Sequence, residues 1–435
     1  MEIFVANIVL YGLWLFWSFR SRDEYSASYI FSVAMYFVVA CMGVFVFEIG
    51  LYQEEISDHR SMEYLSFIPY ALMFVMMVIV LYPLKKIPKF ELGWKERRVS
   101  RWSFVFLFLI LAYLFFFLYG FRFNLVSDAG DAYYMSASGD LALKYGSNVE
   151  VVISKILRRI SICVMPVFFY LQFYRISKNQ QAMMAFLFLI LGFCAYVIPP
   201  ILNGSRGGLF FDFFILIYVY LNFSGEIPVK MKKLIYTFVI LALLGIVFYA
   251  LVISVARAKG DSNVALFRIF RYFGEPFLNL GLVYWNSTDV HTYGVRFFPK
   301  LLEWVGGMEL PDSKYGAEGL REFWTHIYGV NMYYFKTLFG DLYMEFGVLG
   351  SFGVATILAL VARFVKKIKN PFLCHYIMFY YARNVVIYGQ FGFGISQRIV
   401  VDLAYAVVFW VVFSRFWKPV EKQDEMLDNQ TDGAL

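Results

Sequence analysis

Apolar stretches long enough to cross a bilayer recur along this chain, and they leave few folds open to it. A transmembrane helix needs about 20 largely apolar residues. Stretches of that kind fall near 3 to 19, 28 to 48, 65 to 84, 102 to 120, 156 to 174, 183 to 202, 208 to 223, 234 to 253, 343 to 364, 372 to 389 and 398 to 416, about eleven in all. The expected fold class is therefore an all-α polytopic membrane protein. Composition agrees, with 60% hydrophobic and only 16% charged residues. The 21% of aromatic residues suits lipid-facing surfaces and interfacial belts. The first stretch has Arg20 and Arg22 behind it and no small-residue cleavage site close by, so it reads as a retained helix rather than a secretory signal.

Orientation follows from the short loops. Arg20 and Arg22, the run from Lys85 to Arg101, Arg175 with Lys178, the Lys230 to Lys233 cluster, Lys366 to Lys369, and Arg415 with Lys418 all fall on one side. Short cytoplasmic loops collect Lys and Arg, so that side is the cytoplasm, the N-terminus lies outside and the C-terminus inside. The organisation expected is helices one to eight over 1–253 with an outer loop at 121–152, a long outer segment over 254–341, helices nine to eleven over 342–418, and a polar, disordered tail over 419–435. The net charge of +7 is spread over loops, and no basic domain points to nucleic acid. Four cysteines at irregular spacing inside apolar runs read as core residues, neither disulfides nor a metal site.

Loops as long as the two outer segments are usually functional or structured in their own right. In the later one, Val264 to Tyr272, Phe297 to Val305 and Leu320 to Ile327 read as short interfacial helices. The outer side carries many cations for its position, among them Lys155, Arg158, Arg159, Arg296 and Lys336. Three groups stand out beyond solvated surface. The first is Asn203-Gly204-Ser205-Arg206-Gly207-Gly208, where Pro199 and Pro200 end one helix and the next begins. There Arg206 and the uncovered N–H groups of the new helix form either an anion site or a polar turn reaching headgroups. Arg257 and Lys259, just past the eighth helix, either join Arg206 on one phosphate or neutralise a helix C-terminus.

Arg268 and Arg271 make the second group; three residues apart, they share a helical face, suited to bidentate phosphate contact or to plain anchoring on lipid. The third is Arg398, four residues before Asp402, with Arg383 inside the preceding helix. These are intramembrane ionisable residues that either serve function or form an i,i+4 couple. Candidate bases are Asp341 and Glu345, on one face at the outer end of the ninth helix, together with Glu275 and His326. The carboxylates are equally placed as counter-ions for the arginines. Gly347 and Gly350 read as sites of close helix packing. No Walker A sequence, metal-spaced His/Cys cluster or Gly-x-Ser-x-Gly elbow occurs, and Asp128-Ala-Gly-Asp131 is not an Asp-x-Asp.

The run Asn203 to Gly208, the run Arg271-Tyr-Phe-Gly-Glu-Pro276 after Arg268, and Gly340-Asp-Leu-Tyr-Met-Glu-Phe-Gly-Val-Leu-Gly350 together resemble the O-antigen polymerase (Wzy) family of oligosaccharide repeat-unit polymerases. The resemblance extends over nearly the whole chain in helix number, the long late outer loop and aromatic richness. It implies a GT-C-like membrane fold and an inverting glycosyltransferase without metal or other cofactor. It also implies an undecaprenyl-diphosphate-linked oligosaccharide as donor and a second as acceptor, at the outer face of a bacterial inner membrane, with a chain-length regulator protein as a possible partner. Arg206, Arg257, Arg268 and Arg271 are the positions matching the family's diphosphate-holding arginines, and Arg296 with Gly307 matches a further family spacing. Lys259 and Arg398 join the candidate diphosphate ligands on the reading of the residues alone. Within the same chemistry the alternative is an O-antigen ligase delivering glycan to a lipid A core. From other classes come a lipid-linked-oligosaccharide flippase and a membrane scaffold. Charges gathered at one face beside a long loop favour the enzyme over a flippase, whose charges would line a midplane cavity.

Overall fold

The computed structural model describes residues 2–49, 66–87, 96–120, 149–202, 206–257, 262–285, 290–298, 316–332, 335–368, 370–392 and 397–415. Over these residues the chain is helical, with no strand. The helices are α1 Glu2–Arg20, α2 Ala27–Glu48, α3 Ile68–Leu81, α4 Glu96–Gly120, α5 Val149–Ser177, α6 Ala182–Leu202 and α7 Arg206–Phe223. They continue as α8 Val229–Arg257, α9 Ser262–Asn279, α10 Gly316–Tyr328, α11 Thr337–Val365, α12 Pro371–Tyr381 and α13 Gln397–Arg415. Six are long and apolar enough to cross a membrane: α1, α2, α4 from Arg97, α6, α8 to Val255, and α11. Shorter apolar helices occupy Ile68–Leu84, Asp212–Phe223 and Asp402–Phe413. This is a helical, multi-pass membrane protein in its composition and its architecture.

Local chemistry sets several of the helix ends. Ser26 caps α2 by accepting from Tyr29 N. Asn370 caps α12 by accepting from the N–H groups of Phe372 and Leu373, with Pro371 at the first helical position, where its missing N–H costs nothing. The stretch read over 183–202 is α6, but the prolines do not act on it as expected. Pro199 and Pro200 do not stop α6, which runs through both to Leu202. Proline is tolerated in an apolar helix when neighbours satisfy the freed backbone groups. In the last turn of α6, where no intrahelical donor follows, Ile201 O accepts from the Tyr249 hydroxyl of α8 at 2.5 Å. Residues 203–205 lie outside the described residues, and α7 begins at Arg206 itself.

Hydrogen bonds between distant segments define two ends of the bundle. At one, Ser26 N donates to Lys85 O at 2.7 Å, and Ser28 Oγ donates to Asn222 Oδ1 at 3.1 Å. Lys366 Nζ donates to Lys86 O at 2.6 Å, and Asn370 Nδ2 donates to Trp410 O at 3.2 Å. This end joins the α1–α2 turn, the ends of α3, α7, α11 and α13, and the start of α12. At the opposite end Lys336 N, just before α11, donates to Phe391 O, beyond α12, at 3.0 Å.

The late outer segment is more closely built into the bundle than interfacial helices would be. The expected helix at Val264 to Tyr272 is the longer α9, and it packs against the second half of α2. A Cβ at Gly274 would come within 2.6 Å of Met42 O, so the backbones touch there only because residue 274 is glycine. Phe270 meets Phe45 with ring centres 5.5 Å apart, and Phe277 meets Tyr11 at 5.9 Å. Leu320 to Ile327 lies within α10. Phe297 and Phe298 form a turn rather than a helix, and 299–305 lies outside the described residues, as do 121–148 and the tail from 416.

Candidate functional site: charged clusters at one end of the bundle

The carboxylates singled out in the sequence stand in the first turns of α11, and the structure brings Arg296 to both. Arg296 Nε donates to Glu345 Oε1 at 2.7 Å, and Nη2 donates to Asp341 Oδ1 at 2.8 Å. Glu345 is 0% exposed. Its Oε1 also accepts from the Tyr328 hydroxyl at 2.8 Å, and its Oε2 accepts from Thr292 Oγ1 at 2.7 Å and Gly294 N at 2.9 Å. Four donors occupy about four lone-pair positions, so this carboxylate is saturated. The Thr292 and Tyr328 hydroxyls lie against each other as well. Burial works against the charge on Arg296, yet Asp341 and Glu345 more than reverse it and hold the guanidinium above its ordinary pKa. Burial, then the Glu345 charge, push the Tyr328 phenol above its ordinary value, so it remains a donor.

A break in α11 prepares this clasp. Gly347 has φ 67° and ψ −173°, a region essentially reserved for glycine, and it interrupts the hydrogen-bond ladder just past Glu345. Two nearby carbonyls are taken by the incoming strand of chain. His291 Nδ1 donates to Met344 O at 3.0 Å, and Tyr293 N donates to Glu345 O at 2.9 Å. The His291 ring also covers Gly347, where a Cβ would stand 3.2 Å from Nε2. Gly347 thus bends the helix instead of admitting a neighbouring one. Gly350 faces its own helix, with a Cβ there meeting Phe346 Cβ at 2.5 Å.

A second carboxylate, Glu275 on α9, accepts from Arg271 Nε at 3.2 Å and from Asn279 Nδ2 at 3.1 Å. Asn279 Nδ2 also donates to Phe335 O at 3.0 Å, which ties α9 to the start of α11. His326 is exposed on α10 and stands apart from the clasp, although Tyr328, two residues on, belongs to it.

Deeper in the same half of the bundle lie two further ion pairs. Arg383, in the π-helical turn after α12, donates from Nη2 to Asp212 Oδ1 on α7 at 3.3 Å. Arg159 on α5 pairs with Asp402 on α13. The expected Arg398–Asp402 couple falls on a side chain outside the described residues; Asp402 is reached from another helix, because α5 and α13 pack side by side and bring the Arg159 guanidinium to the carboxylate. A cavity of about 30 Å³ beside Arg383 is lined by Asp212, Tyr196, Tyr376 and Tyr380.

No family model, curated protein or solved structure matches the chain.

Of the remaining candidates, Arg206 is the first residue of α7, Arg257 the last of α8, Arg268 lies in α9 and Arg398 in α13. Their side chains, and the whole of Lys259, lie outside the described residues. By the direction of their helices, Arg206 at the start of α7 and Arg257 at the end of α8 stand at the end of the bundle opposite Asn222 and Lys230. The residues that sequence reasoning missed are Thr292, Gly294 and Tyr328 of the clasp, the Asp212–Arg383 pair, and Asp402 as a partner of Arg159. The charged residues among them were visible as ionisable groups within apolar runs. Their partners, tens to hundreds of positions away, carried no local signal.

Proposed function

We propose that this protein is a membrane glycosyltransferase that joins polyprenyl-diphosphate-linked oligosaccharide repeat units, with an acceptor hydroxyl attacking the donor's anomeric carbon as the diphosphate departs. Resemblance supplies the substrate class. The observation that carries the reading is that Arg271, Arg296, Arg383 and Arg159 lie in one half of the bundle, away from the end where Lys85, Lys86 and Lys366 meet. With the lysine end in the cytoplasm, about eleven helices cross a bacterial inner membrane, N-terminus out, in a GT-C-like arrangement.

Positive groups fixed where a diphosphate leaves stabilise the charge that develops on it. Arg206, Arg257, Lys259, Arg268, Arg271 and Arg398 are the groups assigned to that work. Glu345 and Glu275 act as counter-ions in this scheme. A carboxylate with four donors on it has no lone pair to offer a substrate proton.

The test is extension by purified protein in vesicles supplied with lipid-linked repeat units. A ladder of longer glycans is expected, and Arg206→Ala and Arg268→Ala abolish it while leaving the protein folded. Transfer of a single glycan to an added lipid A core with no ladder identifies a ligase instead. Passage of substrate across the bilayer without extension overturns the enzymatic reading altogether.

A further inference from the structure

Two helical segments interrupt their own hydrogen-bond ladders beside one cavity. On α5 the interruption is Pro166, which has no N–H to give to Ile162 O. After α12 it is the π-helical turn Ala382–Ile387, a rare form that recurs at functional sites, with Arg383 as its second residue. Ile162, Pro166, Tyr376 and Arg383 all line the cavity of about 30 Å³ that also meets Asp212. The rest of the wall is largely apolar, including Phe169 and Ile215.

The polar atoms on this wall outnumber their protein partners. Arg383 Nε has no hydrogen-bond partner among the described residues, and neither has the Tyr376 hydroxyl, whose residue is 0% exposed. The Cys163 thiol stands beside that hydroxyl, but sulfur is a weak partner. Asp212 accepts from Arg383 Nη2 through Oδ1, where a carboxylate has room for about four donors. Ile162 O lacks the donor that any residue but proline would supply four positions on. Buried polar groups are nearly always satisfied, and in an apolar bundle ordered water satisfies backbone groups that a proline frees. Charge excludes other small ligands: Arg383 and Asp212 are the charged groups on the wall and are already paired, so neither an anion nor a cation meets an unopposed partner. Arg158, whose charge also reaches Asp212, does not line the cavity. The wall complements a neutral molecule that donates and accepts at once, and at about 10–15 Å³ for each water the space takes about one or two.

We infer that this cavity is an internal water site, in which ordered water accepts from Arg383 Nε and the Tyr376 hydroxyl and donates to Ile162 O and the second oxygen of Asp212. Two donors and two acceptors match the hydrogen-bonding capacity of one water molecule. The water joins α5 to α7 and to the turn after α12, whereas the Arg383–Asp212 pair by itself ties only the last two. It also lets an ion pair and a proline share one level of an apolar bundle without stranded polar atoms. The inference does not depend on the sugar chemistry proposed above.

The experiment has two readouts, both on the full chain. A cryo-electron-microscopy structure in lipid nanodiscs, at a resolution that shows ordered water, should place a density peak about 2.7–3.2 Å from Arg383 Nε and Ile162 O. Thermal unfolding is the second readout. Tyr376→Phe deletes a hydroxyl that the water bonds and should lower Tm by about 2 °C, the scale of one hydrogen bond. Tyr11→Phe is the comparison. Its hydroxyl is as deeply buried and likewise without a partner among the described residues, but the rings of Tyr36, Phe74 and Phe277 surround it. Removing an unsatisfied hydroxyl should leave Tm unchanged or raise it. A cavity that shows no density, or a Tyr376→Phe protein whose Tm moves no differently from that of Tyr11→Phe, overturns the inference.

Discussion

Arg296 and Glu345, 49 positions apart in sequence, meet at 2.7 Å in a site where the carboxylate has no exposed surface and three further donors. The pair fastens the segment around 291–298 and the end of α10 to the first turns of α11. Removing one partner of a buried pair strands the other charge, at a cost of about 3–5 kcal/mol. Arg296→Ala and Glu345→Ala should each lower stability on that scale, and the double variant should cost clearly less than their sum. Thermal unfolding in detergent, followed by tryptophan fluorescence, measures the cycle. Additive losses of a few tenths of a kcal/mol would show that the clasp does not hold the segment.

Gly347 gives a sharper local test, because its φ of 67° with ψ of −173° is strained for any side chain. Gly347→Ala should cost about 1–3 kcal/mol from the backbone alone. It also presses on His291, 3.2 Å from the new Cβ, and should loosen the His291–Met344 contact. Gly353→Ala, six residues on in the same helix and with open space around it, should be neutral or stabilise by about 0.5–1 kcal/mol. Equal effects at the two positions would remove the kink from the account.

Much of this architecture was legible because helix formation in lipid is dictated by local hydropathy. The stretches containing Phe37, Leu189 or Leu241 announce themselves without tertiary information. Asp341 and Glu345 were legible as a pair because their spacing of four places them on one helical face. What they bind was not legible, since Arg296 reaches them from a loop whose path depends on the fold. Pro199 and Pro200 misled for a related reason: what a proline costs a helix in lipid depends on the helices packed around it, which local sequence does not show. Nothing local to α13 announces that the packing of α5 on it brings Arg159 to Asp402.

The raised pKa of Tyr328 gives the clasp a pH signature. The phenol ordinarily titrates near 10. In the folded protein burial and the Glu345 charge move it higher, so the fold favours the protonated form. Its stabilising contribution is fully present below about pH 10 and is lost as pH rises through the folded value. Tyr328→Phe removes a hydrogen bond to a charged group, about 1.5–3 kcal/mol. The stability gap between wild type and variant should therefore be constant from neutral pH to about 10 and shrink above it. A gap that already closes between pH 7 and 9 would place the phenol outside the clasp.

Metal dependence separates two ways of handling a leaving diphosphate. Under the proposed function, guanidinium groups would supply the charge stabilisation that a divalent ion gives other sugar transferases. Glycan extension should therefore run at full rate in excess chelator, and added magnesium should change it little. Chain length on a gel, with and without chelator, reads this directly. A strict divalent requirement would count against an arginine-held diphosphate and in favour of carboxylates such as Asp341 serving a metal.

Sidedness decides whether any of these charges can meet a lipid-linked glycan outside the cell. The lysine end of the bundle is joined by Ser26, Lys85, Lys86 and Lys366, and the opposite end by Lys336 and Phe391. Lys95 precedes α4, which starts at the lysine end, while Ser205 precedes α7, which starts at the other. With the four native cysteines replaced, a cysteine at Ser205 should react with an impermeant maleimide in intact cells, and one at Lys95 only after permeabilisation. The native Cys41, Cys163, Cys194 and Cys374 are free thiols and would otherwise contribute background. The reverse pattern would put the lysine end outside, against the bias of short basic loops towards the cytoplasm, and would move the arginines away from the face where polymerisation is proposed.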